Sequence, residues 1–332
     1  MVALSATRLR PQAESASAHV TLQQHGSLSL AINQQETALP RLQLPPAGEM
    51  CANAELGAHP LLSPEDDEEF QTVLNSLQEL PVLDNYTQAI QAATEHVLDG
   101  PKTGRFDLNS PDVDSGERRA VGAKLEYELL RVFHWKKEKP LDIKVSGTPV
   151  DIKATVGDNW SIPKEAHCQL CLCTKIDPKL NRHKTWLVRT HRSWLYGGKG
   201  NNDGKRGLAA DALDNLSTPL YEWAPLPINP LLKLTPAAIE EVFAESVAQE
   251  TRLLALFRHL PCEIIPRSTI ETVGWGWKDP LRRARAVREA AAKEGLLLLC
   301  GTWADQRAQA SALGYPLRTG DWIAIPSPTV SK

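Results

Sequence analysis

Nowhere in its 332 residues does the chain carry an apolar run close to the roughly 20 residues that a membrane helix needs. The longest candidate, Leu296 to Cys300, has the length of one buried strand. Arg8 and Arg10 are not followed by an apolar block, so the N-terminus does not read as a secretory signal. Six cysteines in a chain this long are too few for a disulfide scaffold, and with no signal the expected compartment is a reducing cytoplasm. Methionine is almost absent: Met1 and Met50 are the only two, and a start at Met50 would remove most of the leader. Residues 1–62 have no Phe, Trp or Tyr, are rich in Gln, Ser, Ala and Pro, and show no steady periodicity. They are expected to form a disordered leader. No internal repeat is visible.

What is present excludes disorder of the whole chain. A 42% hydrophobic and 23% charged composition buries a real core, and the length suggests about two domains. The net charge of −3 hides an asymmetry: residues 1–100 balance at −10, residues 101–210 at +8. A basic centre is the footprint of a polyanion partner, although solvated lysines give the same count.

Order is expected from Ser63-Pro64, an N-cap followed by a proline at the first helical position, with Glu65 to Glu69 complementing the helix dipole. Phe70, Val73, Leu74, Leu77 and Leu80 then recur at helical spacing. Further helices are predicted over about 85–98 and 116–135, the latter with Val121, Leu125, Leu129, Val132 and Phe133 as its apolar stripe. Strands are predicted over 141–145, 149–155, 167–174 and 186–192, then a flexible glycine-rich loop at 197–205 and a Pro-rich linker near 219–230. Beyond it, a long helix from Thr235-Pro236 towards Leu260, shorter helices, and strands at 296–300 and 321–325 make a second domain.

The segment LDIKVSGTPVDIK, residues 141–153, is the most informative. If Ser146 and Gly147 form a two-residue hairpin loop, Asp142 stands opposite Asp151. Strand alternation puts Asp151 and Lys153 on one face. Two opposed carboxylates destabilise a sheet unless something offsets them, and a divalent cation with hard oxygen donors suits the task. Glu126, one position past Leu125 on the preceding helix, would add a third carboxylate. A lysine at such a metal can orient a water or stabilise a phosphoryl oxyanion. Taken alone, the same residues also read as solvated hairpin charges, and Asp142-Ile143-Lys144 is a second D-x-K tripeptide.

LDGPKTGRFDL (98–108), GAKLEYELLRVF (122–133), LDIKVSGTPVDIKATVGDNWSIP (141–163) and HCQLCLC (167–173) resemble, in order, the core of the NaeI-type (type IIE) restriction endonucleases, within the PD-(D/E)xK nucleases. The likeness continues through LLKLTPAAIEEVFA (231–244), LLALFRHL (253–260), IPRSTIETV (265–273) and EGLLLLCG (294–301). The resemblance implies an α/β, mixed-sheet nuclease core followed by a mainly helical helix-turn-helix DNA-binding domain. The expected bounds are 1–62 for the leader, 64–222 for the endonuclease domain, 223–230 for the linker and 231–332 for the second domain. It makes Glu126, Asp142 and Asp151 the metal-linked acids and Lys153 the catalytic lysine, leaving Lys144 outside the site. Leu141 stands where the general motif has proline. The implied activity is Mg²⁺-dependent, site-specific cleavage of double-stranded DNA by a homodimer, in restriction of foreign DNA, with the C-terminal domain binding a second DNA site as activator.

The second domain has its own signal. Asp279 caps a helix with Pro280 at its first position, and Arg282, Arg285 and Arg288 form a basic stripe that fits a helix-turn-helix reader; a solvated basic helix is the plainer alternative. His167, Cys168, Cys171 and Cys173 lack a second cysteine pair at finger spacing and are expected to be core residues of a strand. The loop at 197–204 lacks the ending of a phosphate-binding loop. Two other functions fit the same chemistry: a non-cutting DNA-binding regulator, and a repair endonuclease acting on mismatches or damage.

Overall fold

The computed structural model describes residues 44–51, 57–197, 200, 203–276 and 278–327. Three longer helices and one short one precede the sheet. Helix α1 (Glu68–Gln78) buries Phe70, Val73, Leu74 and Leu77. It starts later than Ser63-Pro64 suggested, because Asp67 is the cap: its carboxylate accepts from the Phe70 amide at 3.0 Å. Arg189 holds the same carboxylate from the far side, while Ser63 Oγ is used on Asp66. Helix α2 (Val82–Leu98) ends at Asp99 in the left-handed conformation and leads into the single turn α3 (Gly100–Thr103). Helix α4 (Ser115–Val132) begins with a capping box, in which Asp114 accepts from the Glu117 amide and the Glu117 side chain accepts from the Asp114 amide.

The chain then forms a hairpin, β1 (Ile143–Val145) and β2 (Thr148–Thr155), followed by β3 (Leu170–Asp177) and β4 (Arg182–Arg189). After α5 (Ala210–Asn215) come two short strands, β5 (Ser217–Pro219) and β6 (Ala224–Pro225), both paired to β4. The sheet order is β1-β2-β3-β4-β5, antiparallel except for the parallel pair β2–β3. β3 and β4 start three to four residues from the predicted positions. On one face Ile143, Val145, Val150, Ile152, Leu170, Leu172 and Leu187 pack against α1, α2 and α4. On the other, Cys171, Cys173, Trp186 and Val188 join Trp160, Ile162, Trp194 and Leu208.

Part of the expected leader belongs to this second core. Cys51 and Leu61 are buried, and the two passes of the chain are tied by Cys51 N to His59 O at 2.8 Å and Leu61 N to Glu49 O at 2.7 Å. This strap has few apolar residues, and its order comes from backbone pairing, which leaves no periodicity to read. Residues 1–43 and 52–56 of that expectation lie outside the described residues, as do 198–199 and 201–202 of the glycine-rich loop. The expected linker is also held: Ala224 pairs with His183, and the Leu226 amide donates to Asn181 O at 3.0 Å.

The C-terminal part has its own core, built on Leu231, Val242, Leu253, Leu256, Phe257, Ile270, Val287 and Trp322. Its elements are α6 (Pro236–Val242), α7 (Gln249–His259), β7 (Ile264–Ile265), α8 (Arg267–Val273), α9 (Pro280–Ala286), α10 (Arg288–Lys293), β8 (Leu296–Cys300), α11 (Ala304–Ala312) and β9 (Trp322–Pro326). The predicted long helix from Thr235 is two helices. The buried Arg252 of α7 donates from Nε to the carbonyl of Val242, the last residue of α6, at 3.0 Å. The predicted basic helix is likewise interrupted, at Val287. A three-stranded antiparallel sheet, β7-β9-β8, accompanies the helices. Among the described residues no helix is long and apolar enough to cross a membrane.

The two parts meet along one seam. Gly100 of α3 lies so close to α8 that a Cβ there would stand 2.2 Å from Thr272 Oγ1. Phe106 stacks on Phe243 with ring centroids 5.6 Å apart, and Ser268 Oγ donates to Glu95 at 2.9 Å.

Candidate active site

The hairpin adopts the register that the sequence implied. Ile143 faces Val150, Lys144 faces Pro149 and Val145 faces Thr148. Continued by one residue, the same register sets Asp142 opposite Asp151. Ser146 and Gly147 both have positive φ, 50° and 86°, as a two-residue turn matching the strand twist requires.

The side chains converge as a result. Lys153 Nζ lies 2.7 Å from Asp151 Oδ2 and 3.5 Å from Asp142 Oδ2. Asp142 Oδ2 also accepts from the Ile152 amide at 2.9 Å, which fixes its carboxylate across the hairpin. Both aspartates are buried. Glu126 comes from α4, which approaches β2 closely because Gly122 has no side chain: a Cβ there would meet Ala154 O at 3.0 Å.

One participant was missed by the sequence reading. Lys137 Nζ stands 2.5 Å from Glu126 Oε1 and 3.6 Å from Asp142 Oδ1, bridging the helix acid to the hairpin acid. It sits in the run Lys136-Lys137-Glu138-Lys139, which has the look of ordinary surface charge. Lys144 pairs with Glu138 at 3.0 Å and takes no part in the cluster.

The protonation of the pair follows from this geometry. Burial, then the hydrogen bond to Asp142, push the Asp151 carboxyl up to about 7 against the pull of Lys153. Burial also works against charge on Asp142, but Asp151, the Ile152 amide, Lys153 and Lys137 outweigh it and hold that carboxyl below its usual range. Burial disfavours the Lys153 ammonium, yet Asp151 and Asp142 beside it keep its proton bound well above the usual lysine range. Asp151 holds its proton more firmly than an ordinary aspartate, so the site favours added positive charge. Asp142 and Asp151 at the hairpin, with Glu126 linked to Asp142 through Lys137, offer carboxylate oxygens only, the donor chemistry of a hard divalent cation such as Mg²⁺.

The chain matches the family described as Restriction endonuclease NaeI over residues 72–325, both parts of the fold included. The protein belongs to this family. It is a type II restriction endonuclease, a hydrolase that cleaves DNA. No curated protein matches the chain. In this restriction endonuclease Asp142, Asp151 and Lys153 meet at the hairpin, and Lys137 links them to Glu126.

The basic residues of the C-terminal part are divided. Arg282 and Arg285 are exposed on α9. Arg288 is half-buried: its Nη2 donates to Gln306 Oε1 at 2.8 Å and its guanidinium lies 4.7 Å from the Trp303 ring and 5.2 Å from that of Trp322. Arg285 also covers Trp303, at 4.9 Å, and Arg283 pairs with Glu250 at 2.6 Å. Cys171 and Cys173 are buried in β3 as expected; Cys168 is buried in the same core but lies before the strand.

Proposed function

We propose that this endonuclease hydrolyses phosphodiesters of double-stranded DNA at a specific sequence with Mg²⁺ held by Asp142, Asp151 and Glu126. The observation that carries the reading is the placement of Lys153 Nζ between the Asp151 and Asp142 carboxylates, with Glu126 joined to Asp142 through Lys137. The metal would supply a polarised water and a counter-charge for the phosphate. Lys153, whose proton the two aspartates hold firmly, acts as a fixed cation towards a non-bridging phosphate oxygen as negative charge builds on it. Asp142, pinned by the Ile152 amide, sets the position of the donor set relative to the strand. Lys137 neutralises Glu126 and Asp142 and is the side chain that must yield when the cation enters.

The C-terminal part is read as the holder of a second DNA site. Helix α7, strand β7, helices α8 and α9–α10, and strands β8 and β9 come in the order of a winged helix-turn-helix, with α11 inserted between the last two strands and β9 central in its sheet. The exposed Arg282 and Arg285 on α9 would meet the DNA; Arg288 supports the helix from beneath. A homodimer would match a palindromic site and cut both strands. Plasmid DNA with Mg²⁺ should yield fragments with one defined end sequence. Uniform degradation, or nicks confined to mismatched duplex, would overturn the site-specific reading.

A further inference from the structure

Four metal-ligating atoms converge away from the acidic cluster. Cys51 and His59 come from the strap that precedes α1; Cys168 lies just before β3 and His191 just after β4. One sulfur or ring nitrogen from each falls within 4.8 Å of all the others, and Cys51, Cys168 and His191 are buried. Cys51 Sγ and Cys168 Sγ are 3.6 Å apart, and His59 Nε2 and His191 Nδ1 are 3.2 Å apart.

Those two edges have the lengths of a tetrahedron around zinc. With Zn–S near 2.3 Å and Zn–N near 2.0–2.1 Å, tetrahedral angles place two sulfurs about 3.8 Å apart and two nitrogens about 3.3 Å apart. A disulfide would bring the sulfurs to about 2.0 Å. The surroundings support the assignment. The Arg192 amide donates towards Cys168 Sγ at 3.4 Å and Ser193 Oγ towards Cys51 Sγ at 3.5 Å, contacts that favour thiolates. His59 Nδ1 faces the Gly57 carbonyl at 3.2 Å, which leaves Nε2 to point at the cluster. Cys168 itself has φ of 64°, a left-handed conformation that a non-glycine residue keeps only where its surroundings over-determine it.

We propose that Cys51, His59, Cys168 and His191 bind a structural Zn²⁺ that fastens the strap to the adjoining ends of β3 and β4. Two thiolates and two neutral imidazoles leave the bound site uncharged, as burial demands. Four protein ligands close the coordination sphere, so the ion has no position for substrate. The site is distinct in chemistry from the all-oxygen cluster: soft sulfur and imidazole ligands select zinc over Mg²⁺.

The test is metal analysis of the untagged full-length chain, purified without chelator. About one zinc per chain is expected, retained in Asp151→Asn and lost in Cys51→Ser and in Cys168→Ser. Replacement of the metal with Co²⁺ in the unaltered chain should give the visible absorption of a tetrahedral site with two thiolates, a readout that stands even if the serine variants fail to fold. Limited proteolysis should cut within residues 44–62 after zinc is stripped and not before. A chain that binds no zinc when supplied with it, a mass spectrum showing a Cys51–Cys168 disulfide in its place, or zinc retained in the Cys51→Ser/Cys168→Ser double variant would overturn the proposal.

Discussion

Single side chains decide the chemistry, and two of them separate function from stability. On the proposed mechanism, Asp151→Asn and Lys153→Ala should each lower plasmid cleavage about a hundredfold or more, because the first weakens an oxygen donor to the cation and the second removes the cation that faces the phosphate. Lys144→Ala, which breaks only an exposed pair with Glu138, should cut at the parental rate. Asp67 works through stability alone. It caps α1 and is held by Arg189 from β4, so Asp67→Asn should cost about 3 kcal/mol in urea unfolding. Burial alone would raise its carboxyl, but the hydrogen bonds from Arg189 and the Phe70 amide outweigh that and hold it below the ordinary value. A depressed carboxyl contributes fully above the unfolded value of about 3.9 and loses its contribution as pH falls below it. The gap between parent and Asp67→Asn should therefore hold from pH 7 down to about 4 and narrow below it. Asp151 and Lys153 were legible in the sequence because strand alternation is strict. Lys137 was not, because its role depends on where a loop after α4 carries it.

Elements were readable where local rules act without competition. The turn at Ser146-Gly147 fixes the hairpin register by itself, so the opposition of Asp142 and Asp151 followed from counting. The start of α1 did not, since Ser63-Pro64 satisfies every local rule and yet Asp67 prevails through an arginine more than a hundred residues away. The long helix expected after Thr235 failed for the same kind of reason: a buried arginine claims the carbonyl of Val242, where α6 ends. The proposed zinc site was not legible as a set: Cys168 was weighed and set aside as a core residue, Cys51 and His59 lie in a stretch with no periodicity, and Cys168 and His191 flank two strands. Helix α4 offers the clearest test of an element's placement. Gly122→Ala puts a methyl group 3.0 Å from Ala154 O, so helix and strand must part by a few tenths of an ångström. The substitution should cost about 1–3 kcal/mol and reduce cleavage more than it reduces DNA binding, because Glu126 rides on the displaced helix. Equal losses of binding and cleavage would count against that placement.

The molecule as a whole joins the sheet that carries the hairpin to a second part with a basic helix, α9. If that part holds a second DNA copy, a one-site substrate should be cut slowly and faster once a short duplex carrying the site is added, since the effector must favour the competent state. Replacing Arg282 and Arg285 with Ala should remove the acceleration and flatten its salt dependence, leaving the slow basal rate in place. One-site cleavage that ignores added duplex in the parent would sink this reading.

The seam between α3 and α8 has a thermal consequence. Two cores joined by a loose tether melt separately, each absorbing heat at its own temperature. Here Gly100 sits against Thr272, Phe106 from the first part stacks on Phe243 of the second, and the segment between the cores is pinned to β4. Neither core can open without exposing the other's flank, so calorimetry should record one endotherm with equal calorimetric and van't Hoff enthalpies. Gly100→Val, which forces a branched side chain into Thr272, should split that endotherm in two.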